Sequence, residues 1–166
     1  MSRATLKLVQ VGQMKSLPTT DSADPTEDVG ASHRRRAEIH IKDNSVAASP
    51  ITESVIANPQ RAGRVKSFTV CCPVGITGSD SNYTTVSLSR KTGTGAAVNI
   101  AVANSQLAGA LNGATALVPV AIALTANSVD FSANDVLFVA ATKTSAGVAL
   151  SANTSAVTFC VDYEET

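Results

Sequence analysis

Polar and apolar residues alternate in short runs along most of the chain from Arg64 to the C-terminus. In Arg64–Cys72 the residues Phe68, Val70 and Cys72 fall on one face, and Pro73 ends the run. Tyr83–Arg90 sets Thr84, Val86 and Leu88 against Tyr83, Thr85 and Ser87. Thr92-Gly93-Thr94-Gly95 turns the chain, and Ala97–Ala103 is expected to point Val98, Ile100 and Val102 inward. Gln106–Leu111 reads as a short helix or a loop. Val118–Leu124 places Val118, Val120, Ile122 and Leu124 together, and Asn127-Ser128 turns the chain before Val129–Phe131. Val136–Thr142 is apolar nearly throughout, as a central strand would be. Ala156–Tyr163 lines up Val157, Phe159, Val161 and Tyr163. Strands of this length at this spacing predict an all-β fold: an antiparallel β-sandwich, with a jelly roll as the leading topology.

The first third reads differently. Ala4–Val11 and Ala37–Lys42 alternate well enough for a strand each. Residues 16–32, with Pro18, Pro25 and a run of Thr, Asp, Ser and Gly, read as an extended loop, and 43–62, with Pro50 and Pro59, read as irregular, with a short helical turn expected around Thr52–Ala57. This divides the chain into an extended N-terminal arm with one or two short strands, 1–62, and a sandwich domain, 63–166.

Composition refines the picture. Apolar residues make up 44% of the chain, but Ala and Val dominate and Trp is absent, so the core must be thin, as between two stacked sheets. Net charge is zero but unevenly spread: residues 1–66 carry ten Lys/Arg against seven Asp/Glu, and residues 67–166 carry three against six. That asymmetry is too small to indicate direct nucleic-acid binding. No apolar run is long enough to span a bilayer, and no signal peptide opens the chain, so no membrane partner is expected and assembly in the cytoplasm follows. Cys71, Cys72 and Cys160 lack zinc spacing and read as small buried hydrophobes, with a Cys72–Cys160 bridge left open.

The candidate chemistry is sparse. Lys91-Thr92-Gly93-Thr94-Gly95 has its Lys before the glycines and a strand after them, so it is a hairpin turn and not a phosphate loop. His33 and His40 flank Glu38 without further ligands nearby, so no metal and no cofactor is expected. Asp80, Asn82, Asp130 and Asp135 lie beside turns and read as turn caps in preference to calcium ligands. With both histidines in the leader, no Ser-His-Asp or Cys-His set can be drawn in the sandwich, and an enzyme is not expected. Arg34, Arg35 and Arg36, with Arg61 and Arg64, are the candidate contacts for an acidic partner surface, because guanidinium pairs carboxylates bidentately.

The tract Cys72-Pro73-Val74-Gly75-Ile76-Thr77-Gly78-Ser79-Asp80-Ser81-Asn82-Tyr83-Thr84-Thr85-Val86-Ser87-Leu88-Ser89-Arg90-Lys91 resembles a segment of small structural proteins of tailed bacteriophages. There a strand ends in an "ITG-D-NY" loop and resumes as "TVSL". Ser132-Ala133-Asn134-Asp135-Val136-Leu137 is similar to their "AGDVL" pattern, with Asn134 in place of the usual Gly, and the closing strand Val157–Tyr163 is similar too. The resemblance covers about residues 65–163 and leaves the leader outside. It implies a capsid decoration (cement) protein: a β-sandwich, often a homotrimer, bound to the major capsid protein on the capsid exterior of the virion. Under this expectation residues 1–62 wrap adjacent capsid subunits through the five arginines. The alternatives are a tail, fibre or receptor-binding module, a jelly-roll enzyme, and a bacterial surface module. Scarce exposed aromatics weigh against the first, and the histidine-free sandwich against the second.

Overall fold

The computed structural model describes residues 33–42, 51–144, 150 and 156–166. The strand expected at Ala4–Val11 and the loop expected over 16–32 lie outside these residues. Within them the chain is all-β with no helix. Two antiparallel sheets pack face to face. The first has the order β1 (His33–Ile41), β9 (Val157–Glu165), β3 (Gly63–Cys71), β6 (Pro119–Ile122), with β7 (Asp130–Phe131) also on β3. The second has the order β2 (Ile51–Ala57), β8 (Asp135–Lys143), β4 (Thr84–Thr92), β5 (Val98–Asn104). Apart from the β4–β5 hairpin and the β6–β7 excursion, each successive strand changes sheet.

The alternating residues form the core, as a two-sheet fold requires. Val65, Phe68 and Val70 of β3 and Val157, Phe159, Val161 and Tyr163 of β9 face Val86 and Leu88 of β4 and Leu137, Val139 and Ala141 of β8, all buried. Phe68 and Phe159 stack with ring centroids 6.4 Å apart, and Phe131 meets Tyr163 edge-on at 5.8 Å. β8 lies between β2 and β4, central as its near-continuous apolar run predicts. Asn127 adopts φ 65°, the left-handed conformation its turn position calls for. Thr92–Gly95 closes the β4–β5 hairpin through a Gly95 N–H bond to the Thr92 carbonyl (2.9 Å).

Several expectations are corrected. Thr52–Ala57 is not a helical turn but most of strand β2, paired with β8. Of the two readings open for Gln106–Leu111, a short helix or a loop, the structure has the loop, built of turns. Strands β1 and β2, which fall in the stretch read as the arm, are members of the two sheets, and His33–Thr166 is one compact unit. In β5, Val102 faces outward (45% exposed), while Ile100, Ala101 and Ala103 are buried; Val98, where the strand begins, pairs with Arg90 on the face of Leu88 and is 38% exposed. The cause is a bulge: Leu88 pairs with Ala101 and Ser89 with Asn99, so Ile100 is an extra residue that shifts the alternation. No disulfide joins any of the three cysteines, so the Cys72–Cys160 bridge does not form.

Candidate functional site

Strands β1 and β3 start, and β9 ends, at one end of the first sheet. The register sets Arg34 beside Glu164 and Glu164 beside Arg64, with His33, Glu165 and Gly63 in the adjoining row. Arg61 lies in the turn that enters β3. Arg34, Arg35, Arg36, Arg61 and Arg64 therefore all come to this end, and Lys66, which periodicity alone does not single out, joins them. Gly63 is what lets β3 begin here: a Cβ would collide with the Glu164 carbonyl oxygen and the Phe131 ring.

The charges form a lattice of pairs. Arg35 Nε donates to Glu165 Oε2 at 2.6 Å, and the same buried carboxylate accepts the Gln60 backbone N–H at 3.0 Å. Burial alone pushes the Glu165 carboxyl up, but Arg35 and the Gln60 and Arg61 amides together hold it below the usual carboxylate range. Arg64 Nε donates to Asp130 Oδ1 at 2.7 Å, and this hydrogen bond lowers the Asp130 carboxyl against a smaller opposing effect of burial. Lys66 Nζ reaches Glu164 at 2.5 Å, and Arg36 approaches Glu38 at 3.9 Å. No hydrogen bond or ion pair ties the side chains of Arg34 or Arg61 to a described residue. The pairs with both partners exposed, Arg64–Asp130 and Arg36–Glu38, contribute little to stability.

Two adjoining shallow grooves share Lys66. One, of about 370 Å³, is lined by Arg34, Arg35, Arg36, Lys66, Asp162 and Tyr163. The other, of about 420 Å³, runs past Arg64, Asp130 and Glu164 over the Phe131 ring. Charged residues make up most of the first lining and half of the second, and both grooves are open, unlike the enclosed apolar pockets that take small molecules.

Strand β1 brings both histidines, read as part of the leader, into the sandwich. Glu38 Oε1 lies 3.1 Å from His40 Nε2, and His40 Nδ1 lies 2.8 Å from Thr158 Oγ1 on β9. Period-two alternation places Glu38 and His40 on one face, but only the strand pairing supplies Thr158. The order is that of a nucleophilic triad. However, β9 is paired on both sides at Thr158, with His40 and with Cys71, so its own amides there are engaged in the sheet and supply no oxyanion donor. The row acts as a cross-strand link on an exposed face.

The turn motifs also resolve into contacts. Ile76 is buried; its N–H donates to the Ala114 carbonyl and its carbonyl accepts from Gly113, at 2.9 and 3.0 Å. The Gly78 N–H donates to Asn112 Oδ1 (2.9 Å), and Asp80 Oδ1 accepts the Leu107 N–H (3.1 Å). Asp135 is fully buried and accepts from the Ser132 N–H (2.8 Å), Arg90 Nη1 (3.2 Å) and the Thr92 hydroxyl. These turn-side carboxylates thus stitch separate segments together, and only Asp135 caps its own turn. Among the described residues no three His, Cys, Asp or Glu side chains are grouped to hold a metal ion. Neither the protein-family models nor the curated proteins contain a match to this chain.

Proposed function

We propose that this chain is a structural protein of a phage virion that binds the outer surface of the assembled capsid and stabilises it. In this reading the alternation of strands between sheets is that of a jelly roll, the assembly is a homotrimer, and the partner is the major capsid protein. The protein assembles in the host cytoplasm and catalyses nothing. The observation that carries the reading is the convergence of five arginines and Lys66 on one broad, shallow, solvent-facing end of the first sheet. Such a surface suits another protein, where many modest polar contacts are made at once. The resemblance of the 72–91 and 132–137 tracts to phage structural proteins supplies the kind of partner.

Repeated weak contacts gain from avidity, and a trimer matches a threefold position of a shell. A protein that binds the closed lattice and not the separated subunits opposes rupture by mass action. The test is co-sedimentation with shells that lack this protein, before and after shell expansion. Saturable binding with raised heat resistance supports the reading, whereas absence of binding to either shell turns it toward a tail or fibre component. The arm is tested by deleting residues 1–32. A cut at residue 36 would remove part of β1 and the Arg35–Glu165 pair, confusing loss of the arm with damage to the sheet.

A further inference from the structure

The two edges of the first sheet are built differently. On the β6–β7 edge the strands are short, and the chain between them crosses to β5: Leu124 bridges Ala101, and the Thr125 N–H donates to the Ile100 carbonyl at 2.7 Å. On the other edge β1 pairs with β9 along all of its 9 residues, and no described strand lies on its outer side. An antiparallel strand gives alternate N–H and C=O groups to one neighbour, so the remaining ones along β1 face outward. Its inward residues Ala37, Ile39 and Ile41 pack on the core yet stay only half-buried, which leaves an apolar flank beside that edge. Its outward residues at the same end are Arg34 and Arg36, over the groove they share with Lys66.

We infer that β1 accepts an extended segment of a partner protein as an added strand, with acidic residues alongside Arg34 and Arg36 and apolar residues alongside Ala37, Ile39 and Ile41. This rests on the reading above only in taking the arginine end as a partner surface, and it names the chemistry of the segment. Arg34 and Arg36 are two residues apart, so their backbone positions differ by about 6.7 Å. Carboxylates at alternate positions of an extended segment repeat at the same interval, so each guanidinium meets one. Backbone pairing then provides affinity, and the alternate side chains provide selection. A strand that carries Lys at the positions alongside Arg34 and Arg36 meets like charge and is rejected.

The experiment uses the full chain, isotopically labelled for amide detection, and a capped peptide of the length of β1 (9 residues) alternating Glu and Val. A Lys/Val peptide and a short oligothymidylate serve as comparisons. The expected result is new exchange protection on the β1 amides that β9 does not use, with the Glu/Val peptide alone. The double variant Arg34→Glu, Arg36→Glu should lose about tenfold or more in affinity for it and gain affinity for the Lys/Val peptide. Both positions are exposed, and an unchanged melting temperature will confirm that the variant folds. Absence of protection, or equal binding of the Glu/Val peptide and the oligothymidylate without protection, overturns strand addition. Shell binding by a protein that ignores the peptide overturns this inference alone. Peptide binding by a protein that ignores shells overturns only the capsid reading.

Discussion

Replacing Asp135 by Ala tests whether the turn motif near the start of β8 is a structural clamp. The carboxylate is fully buried and holds the Ser132 amide, the Thr92 hydroxyl and Arg90. Arg90 is 29% exposed, and its Nε is already buried without a partner, so Asp135 carries most of its compensation. Removing one partner of a buried ion pair costs about 3–5 kcal/mol. Ser132 and Thr92 are solvent-exposed and regain water, which places Asp135→Ala near the lower figure, about 3 kcal/mol. Against a total of about 5–15 kcal/mol for a domain, urea unfolding at pH 7 will register this as a large shift of midpoint. Burial alone raises the Asp135 carboxyl, but the Ser132 amide, the Thr92 hydroxyl and Arg90 outweigh it and hold the group below its ordinary value. The unfolded chain therefore takes the proton first as pH falls. The stabilisation is present in full above about pH 4 and is lost as pH drops through the folded value, so the gap between wild type and variant narrows there. A loss under about 1 kcal/mol at pH 7, or a gap that stays constant below pH 4, refutes the clamp.

Two further outcomes follow from the fold. Because the β5 bulge turns Val102 outward and Ile100 inward, Val102→Ser should alter stability by no more than about 0.5 kcal/mol, while Ile100→Ala should cost about 2–5 kcal/mol in the same urea assay. Alkylation of the native protein at pH 8, followed by peptide mapping, should modify Cys71 first. Cys72 and Cys160 are buried, and burial, the largest influence, pushes the Cys160 thiol up and keeps it protonated.

Sequence alone determined the class of fold, because a strand's side chains alternate with a fixed period of two and the runs through Val70, Leu88, Val139 and Phe159 keep that period. It also determined the hairpin at Thr92–Gly95 and the central place of β8, both local consequences of turn chemistry and composition. Tertiary structure decided what depends on pairing between distant segments. The bulge at Ile100 arises from register against β4, and periodicity read along one strand cannot register an inserted residue. β1 joins the sandwich because β9 pairs with it over its whole length, even though its Arg-rich sequence reads locally as a solvated leader. Arg61, Arg64 and Lys66 meet Arg34–Arg36 only because the start of β3, the start of β1 and the end of β9 coincide. The link from Glu38 through His40 to Thr158 exists for the same reason: its members sit on strands 118 residues apart in the chain, and only the sheet register brings them within hydrogen-bonding distance.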